Sequence, residues 1–462
     1  MTGIPTLAPR RLARSKAASA FTHRNYRLFF SGQAVSLVGT WMQQVAQGWL
    51  VLQLTGDPFW LGVVASAQFL PVMVFGLFAG VLADVLPKRQ TLIGVQFVMM
   101  TLAIILTILT ATNVVQVWMI ILLAILLGCA NSVDMPVRQS FAIEMVGARD
   151  IGNAVAINSA MFNGARVFGP ALAGLTIGAF GMAPAFAINA LSFLAVIVGL
   201  SLMRDDELHR PRIVPRPRSV GAVFENLAEG LSFVRRTPIV LLAVTTVGLV
   251  ATFGMNFQVV IPPLAQDALH SDASGYGFLM TASGLGALGA AIGLVIAGRP
   301  KPSRMVLGAI VLGVASIGLA MSTSFPLSML LMVPIGAGGI TMAATANATI
   351  QLAVPDGLRG RVMSVYTTVF SASMPIGGLL MGVLASRLGI LEAIAIGGVL
   401  SLGAGIVAFA WYRRIRTRPT PIVAGATPDL VEVLADSGQS TAPSTSAAFS
   451  PPNPNEVLST RR

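Results

Sequence analysis

The sequence predicts an all-α integral membrane protein with twelve transmembrane helices in two six-helix halves. Of its 462 residues, 55% are hydrophobic and 10% are charged, whereas a soluble domain carries about 25% charged residues. Apolar stretches of at least ~18–20 residues recur along the chain, and each can cross a hydrocarbon layer about 30 Å thick. Because these stretches are continuous, they predict helices; barrel strands would alternate over segments of about ten residues.

Twelve stretches meet this criterion, at residues 28–53, 59–84, 90–111, 116–135, 152–177, 183–203, 238–262, 275–298, 304–322, 326–350, 361–386 and 391–412. They define an N-terminal half, 28–203, and a C-terminal half, 238–412. A basic segment, 1–27, precedes them. A polar linker, 204–237, joins the halves, and its second part predicts a short amphipathic helix. Residues 413–462 are rich in Ser, Thr and Pro, which predicts a disordered tail.

The positive charges predict the orientation in the cell membrane. Of the 30 Lys and Arg residues, 28 lie on the side of the N-terminus and of the connections after even-numbered spans. The exceptions are Arg387, on the other side, and Arg166, within a span. Positively charged connections stay in the cytoplasm, so both termini are expected there. The charges form short clusters between spans and no continuous basic surface, which argues against a nucleic-acid partner.

The two halves repeat each other. An offset of 208 residues pairs five positions that follow spans four and ten: Gly152 with Gly360, Phe162 with Phe370, Gly169 with Gly377, Gly174 with Gly382, and Gly181 with Gly389. An internal 6+6 repeat is typical of secondary transporters, which alternate access by moving one half against the other.

A loop motif carries a family resemblance. Residues 80–89, GVLADVLPKR, resemble the cytoplasmic loop motif G-x-x-x-D-x-x-G-[RK]-[RK] of the major facilitator superfamily, and Pro87 stands where the second glycine is usual. The matching residues are Gly80, Asp84, Lys88 and Arg89. Residues 25–71 and 131–146 resemble the branch that contains enterobactin exporters and macrolide-efflux proteins. The resemblance covers about residues 25–412.

This resemblance implies the major facilitator fold and secondary active export of small amphiphilic molecules, drug-like or siderophore-like, by alternating access. It also implies protons as the coupling ion and a monomer without cofactor or metal. Asp84 is expected to contact the start of helix eleven near Gly360, with Asp134 completing a gating network. The alternative is an ordinary charged loop. The GPALAG run approaches the superfamily's antiporter motif, so a bend and close packing are expected at Gly169, Pro170 and Gly174.

Helices one, four, seven and ten line the central pathway in this fold, and polar stripes on three of them predict the substrate cavity. Span one carries a single polar helical face at steps of three and four residues. The predicted cavity residues are Ser36, Thr40, Gln43 and Gln47 on span one, Asn163 and Arg166 on span five, Thr252 and Asn256 on span seven, and Thr341 and Thr345 on span ten. The alternative for each stripe is hydrogen bonding between helices, worth about 0.6 kcal/mol per contact.

Arg166 is the one ionisable residue predicted well inside a span. A charge there costs at least ~2.5–3.5 kcal/mol, so such residues usually have a function. Two interpretations stay open: attraction of an anionic or oxygen-rich substrate, or pairing with helix four or with backbone carbonyls.

No Asp, Glu or His is predicted deep within a span, so Asp84 and Asp134 at the cytoplasmic membrane edge are the titratable groups available for proton coupling. Proton coupling is therefore expected from the resemblance alone. Two other functions remain: transport of a specific metabolite, and a non-transporting membrane scaffold or sensor. An enzyme is not expected, because the sequence has no nucleophile elbow, metal-ligand cluster or P-loop motif.

Overall fold

The computed structural model describes residues 19–209 and 220–417, and for 77–85, 220, 222–224 and 417 it describes the backbone alone. Within these ranges the chain is helical and forms no strand. The helices are α1 Arg24–Thr55, α2 Pro58–Val85, α3 Lys88–Ala111, α4 Val117–Phe180, α5 Met182–Ser201, α6 Val220–Arg236, α7 Pro238–Gly254, α8 Phe257–Pro263, α9 Ala273–Ile296, α10 Pro302–Ala320, α11 Phe325–Ala353, α12 Asp356–Leu388 and α13 Ile390–Thr417. Nearly all of the predicted disordered tail lies outside the described residues.

The predicted spans all coincide with helices. Ten helical segments of the described chain are long and apolar enough to cross a membrane by length and composition. The difference from twelve has two causes: α4 is counted once although it contains two predicted spans, and α1 falls short in hydropathy because of its polar stripe. Large apolar side chains such as Trp118, Leu191 and Val407 are exposed on the helices, as a surface in contact with lipid requires.

Spans four and five form one helix of 64 residues with a break at Gly147. The backbone there has φ 71° and ψ 171°, a conformation that glycine adopts without the steric cost of a side chain. We call the two parts α4a (117–146) and α4b (148–180). The predicted end of span four at residue 135 is too early. The helix continues because its polar extension is ion-paired: Glu144 binds Lys88, and Arg138 binds Asp134.

Span seven was predicted as one helix, 238–262, and the structure divides it. Helix α7 ends at Gly254 and α8 begins at Phe257. At the break, Asn256 Nδ2 donates a hydrogen bond to the carbonyl oxygen of Thr252 at 2.6 Å. This bond satisfies a carbonyl that the interrupted helix leaves without its usual partner.

Helix packing follows the internal repeat. In the N-terminal half α1 packs on α4 and α5, and in the C-terminal half α7 packs on α12 and α13. Likewise α3 packs on α5 as α10 packs on α13, and α2 packs on α4 as α9 packs on α11. Between the halves, α2 packs on α12 and α4 packs on α9. The described helices therefore form two similar six-helix halves joined by two equivalent contacts.

Paired glycines have equivalent surroundings in three dimensions. A Cβ at Gly169 would overlap Trp41 of α1, and a Cβ at its counterpart Gly377 would overlap the Thr252 carbonyl of α7. Gly181 and Gly389 end α4 and α12 with φ of 83° and 109°. The first pair allows a close helix contact and the second pair ends a helix, in the same way in each half. The 208-residue offset therefore reflects a structural repeat.

Candidate functional site

The halves are sealed at one end of the helix bundle. We call the end where α1 begins and α13 ends the terminal face, and the opposite end the far face. Near the far face, Ser66 Oγ of α2 donates a hydrogen bond to the Pro375 carbonyl of α12 at 2.7 Å. A Cβ at Gly62 would overlap the Gly378 carbonyl oxygen and would lie 3.3 Å from Gly382 Cα. Here α2 and α12 touch backbone to backbone.

The equivalent contact between α4b and α9 is equally close. Ser274 Oγ donates to the Gly174 carbonyl at 3.1 Å, and Thr281 Oγ1 donates to the Val167 carbonyl at 3.3 Å. A Cβ at Gly277 would lie 2.5 Å from the Pro170 carbonyl oxygen. The two inter-half contacts thus have the same location and the same character.

Glutamines close the far face between α1 and the segment around α8. Gln258 Nε2 donates to Gln44 Oε1 at 3.0 Å. Further out, Gln53 Nε2 donates to Gln266 Oε1 at 2.7 Å. With the contacts of α2, α4b, α9 and α12, these bonds join the two halves at the far face.

Towards the terminal face, no hydrogen bond joins the same helices among the described residues. On the helix faces that meet further along, Gly76 of α2, Gly152 of α4b and Gly360 of α12 have no atom within 4 Å of the position of an added Cβ. The polar side chains of Asn158 and Ser159 on α4b are exposed, which fits water better than lipid. The inter-half contacts of the described residues are therefore concentrated at the far face, the arrangement expected of a conformation open to the terminal face.

Arg166 lies where the opening ends. Its backbone carbonyl oxygen would be 2.7 Å from a Cβ at Gly284 of α9, so it belongs to the last layer in which the halves touch. Its guanidinium carbon lies 6.0 Å from the centre of the Trp41 ring. One turn earlier, Asn163 Nδ2 donates to the Ser159 carbonyl at 2.8 Å, and Asn163 Oδ1 is buried without a hydrogen-bond partner among the described residues.

The polar stripe of α1 is partly buried against α5. Ser36, Gln43 and Gln47 are buried, and Gln43 Oε1 accepts a 2.6 Å hydrogen bond from Asn189 Nδ2 of α5. Thr40 Oγ1 donates to the Ser36 carbonyl at 2.9 Å. For Gln43 the geometry favours the alternative of hydrogen bonding between helices, and a cavity role for the rest of the stripe stays a prediction.

The stripes of the C-terminal half are also partly internal. Thr252 and Asn256 bond to their own helix and lie against Gly377 of α12. On α11, Thr341 is half-buried, and Thr345 is buried with its hydroxyl oxygen unpartnered among the described residues. These contacts favour a helix-packing role for Thr252 and Asn256. The hydroxyl of Thr345 remains free to bond a molecule that reaches it.

The loop motif is anchored within the N-terminal half. Lys88 pairs with Glu144 of α4a. Arg89 donates to the Leu200 carbonyl at 2.8 Å and pairs with Asp205 at 2.7 Å. These bonds hold the start of α3 against α4a and the end of α5. The side chain of Asp84 and the surroundings of Gly80 lie outside the described residues.

Among the described residues no contact joins the other gating residues, Asp134 and Gly360. Asp134 is 3% exposed, pairs with Arg138 and accepts a 2.9 Å hydrogen bond from Gln96 Nε2. Gly360 at the start of α12 has open space around it. The expected contact of the loop with the start of helix eleven stays a prediction for a conformation closed at the terminal face.

The non-helical backbone of α4 is at Gly147 and not at Gly169, Pro170 or Gly174, where a bend was expected. All three residues lie inside continuous α4b, and the non-helical φ and ψ in α4 belong to Gly147. The glycines provide close packing instead: Gly169 against α1 and Gly174 against Ser274 of α9.

Two concavities lie away from this opening. One, of about 420 Å³, is an apolar groove between α3 and α4a that includes Cys129. The other, of about 560 Å³, lies at the terminal face and includes His23 and His209. Neither is lined by a predicted cavity residue.

Sequence reasoning missed several residues that the site uses. Asn189, Gln258 and Tyr276 lie within apolar helices. A polar side chain in an apolar segment is the one sequence feature that could have identified them. Tyr276 is fully buried and stacks on Trp49 with ring centres 6.3 Å apart. The partners could not be read from the sequence, because Gln43 and Asn189 are 146 positions apart.

The fold and the opening define the class of the molecule: a multi-pass membrane transporter built from two similar halves around a central pathway. The sequence profile of a family described as transmembrane secretion effector matches residues 15–420. The chain therefore belongs to this family of the major facilitator superfamily and is a transporter of small molecules, in contrast to an enzyme.

Relatives and solved structures agree with this assignment. The multidrug efflux pump Tap of Mycolicibacterium fortuitum is 30% identical over 356 residues, which cover 75% of this chain and 85% of Tap. The staphyloferrin A transporter of Staphylococcus aureus is 23% identical over 85% of this chain and 97% of its own.

Among solved structures, an auto-inhibited POT family peptide transporter superposes with a TM-score of 0.67 at 15% identity, covering 87% of this chain and 98% of its own. A bacterial homologue of the human lysosomal transporter Spinster, inward-facing and occupied, gives a TM-score of 0.66 at 13% identity over 86% and 99%. At these identities the structures support the fold alone.

Proposed function

We propose that the protein exports small amphiphilic molecules, drug-like or siderophore-like, from the cytoplasm across the cell membrane by alternating access. The observation that carries the proposal is the asymmetry of the inter-half contacts, tight at the far face and open towards the terminal face. The names of the relatives favour export, and one of them is a multidrug efflux pump. The charge asymmetry of the sequence supports a cytoplasmic terminal face.

In this mechanism a substrate enters from the terminal face and reaches the level of Arg166. The seal of α2 on α12 and of α4b on α9 then opens while the terminal ends of the same helices come together. Gly152 and Gly360 are equivalent in the repeat and both have free space now, so they can accept close backbone contact in the other conformation. The loop motif with Asp84 lies beside this region.

Protons are the proposed coupling ion, and the protein works as a monomer. Asp134 is the buried carboxylate among the described residues. It is held by Arg138 and Gln96, so protonation would weaken a contact between α3 and α4a. Asp84 is the second candidate, because it lies at the membrane edge by sequence.

The test is efflux from cells that lack their own multidrug pumps. Cells making the protein should accumulate less ethidium, a cationic amphiphile, and less of an uncharged amphiphile than cells making none. Inverted membrane vesicles should accumulate the same probes when a proton gradient is applied. Equal accumulation with and without the protein, for every probe, would contradict export. Efflux that persists unchanged after a protonophore collapses the gradient would contradict proton coupling alone.

A further inference from the structure

The guanidinium of Arg166 has no ion pair and no hydrogen bond among the described residues. Among the described residues no carboxylate lies within ion-pair distance of its guanidinium and no side-chain or backbone acceptor binds it; its contact is the Trp41 ring at 6.0 Å. An unpaired charge inside a membrane helix costs at least ~2.5–3.5 kcal/mol. The structural interpretation of Arg166, which requires a partner on helix four or a backbone carbonyl, therefore finds no support in the described contacts.

The surroundings of Arg166 combine an aromatic platform with an unsatisfied acceptor. Trp41 and Phe162 meet edge to face with ring centres 5.9 Å apart. Phe162 is 46% exposed and lies four residues before Arg166, on the same face of α4b. Asn163 Oδ1, on the same helix, is buried without a partner. One wall of the opening thus offers two rings, a guanidinium fork and an amide.

The position explains why these groups remain unpaired. A Cβ at Gly284 of α9 would lie 2.7 Å from the Arg166 carbonyl oxygen, and among the described residues no hydrogen bond joins α4b and α9 nearer the terminal face than this level. Arg166 is therefore at the inner end of the opening, where an entering molecule stops against the seal. A guanidinium presents parallel donors that match the two oxygens of a carboxylate.

We propose that Arg166, Trp41 and Phe162 form a subsite for the carboxylate of a flat or aromatic amphiphile. The carboxylate binds the guanidinium, and the apolar body lies along Trp41 and Phe162. Asn163 accepts a hydrogen bond from a donor next to the carboxylate. The proposal rests on the proposed function, since it names the substrate class for the same opening.

The test measures binding of 2-naphthoate and of its uncharged amide, 2-naphthamide, to the purified full-length protein in lipid nanodiscs. Equilibrium dialysis against empty nanodiscs corrects for partition into lipid. The readout is the ratio of the two affinities, because a general loss of folding lowers both alike. We expect the wild type to favour the acid. Arg166→Ala should lower the ratio about 10- to 100-fold, the range expected when a hydrogen bond to a charged group is lost.

Three further variants separate the subsite from a structural role. Arg166→Lys keeps the charge without the fork and should give an intermediate ratio. Phe162→Leu should weaken both ligands about 2- to 10-fold without changing the ratio. Arg387→Ala removes the same charge from an exposed residue at the far face and should change nothing.

Equal affinities of the wild type for both ligands, or a ratio that Arg166→Ala leaves unchanged, would overturn the subsite. If Arg166→Ala does not fold, the ratio for Arg166→Lys decides: a wild-type value overturns the proposal. Ethidium efflux by the wild type is measured in parallel. Its absence would contradict the proposed function, and its presence with an unchanged ratio would contradict the subsite alone.

Discussion

Filling the space at Gly62 should shift the protein away from the conformation described here. A side chain at Gly62 meets backbone atoms of α12: it would overlap the Gly378 carbonyl oxygen and lie 3.1 Å from the carbonyl carbon. Backbone cannot rotate away as a flexible side chain can, so Gly62→Val forces α2 and α12 apart. The penalty falls on the far-face-closed conformation, because these helices separate in the other one.

The size of the effect follows from the cost of overpacking. Extra methyl groups in a well-packed contact cost about 1–3 kcal/mol. Placed on one conformation alone, this changes the equilibrium constant between the two conformations about 5- to 150-fold. The fraction open to the terminal face falls accordingly.

The assay is thiol labelling of Ser159→Cys in a Cys129→Ser background. Ser159 is exposed in the present conformation, so labelling from the terminal face should be fast in the parent and slower with Gly62→Val. The matched control is Gly76→Val on the same helix, which meets no atom within 4 Å here and should not slow the reaction. Unchanged labelling in folded Gly62→Val protein would refute the reasoning.

Three other outcomes are expected. Asp84→Asn should cripple efflux while leaving the amount of membrane-inserted protein unchanged, because the expected gating contact loses its charge. Asn189→Leu leaves Gln43 Oε1 without its donor and should cost about 1–3 kcal/mol of stability, seen as a lower unfolding temperature. Single cysteines at Ser219 and Ser274 should be labelled from opposite sides of the membrane.

Each of these outcomes has a clear opposite. Normal efflux by Asp84→Asn would contradict the gating role of the loop motif and would leave it only a role in membrane orientation. An unchanged unfolding temperature for Asn189→Leu would show that the bond to Gln43 contributes little. Labelling of both cysteines from one side would contradict the orientation.

Most of the fold could be predicted from the sequence, because apolar length and glycine spacing act locally. The breaks were harder. Residues 136–151 are polar and were assigned to a connection, yet they continue α4 up to Gly147 because Glu144 and Arg138 have charged partners on or near the same surface. The interruption after Gly254 depends on one side chain, Asn256, that satisfies an open carbonyl.

The site could be predicted only in part. A helical face is visible in the sequence, as for Ser36, Thr40, Gln43 and Gln47, but its neighbour is not. Gln43 meets α5 because Gly39, one turn away, packs on Asn189 and Ser192. Which end of the pathway is open depends on contacts between the halves, and no local pattern encodes them.

The central claim is that transport requires the far-face seal of α4b on α9 to open. A Cβ at Gly178 would lie 2.6 Å from Ser274 Oγ, so cysteines at these two positions are within reach of a disulfide. We would measure ethidium efflux by the Gly178→Cys, Ser274→Cys protein in the Cys129→Ser background, oxidised and then reduced, with each single cysteine as control. The account predicts loss of efflux on oxidation and recovery on reduction. Undiminished efflux by the fully cross-linked protein would contradict it.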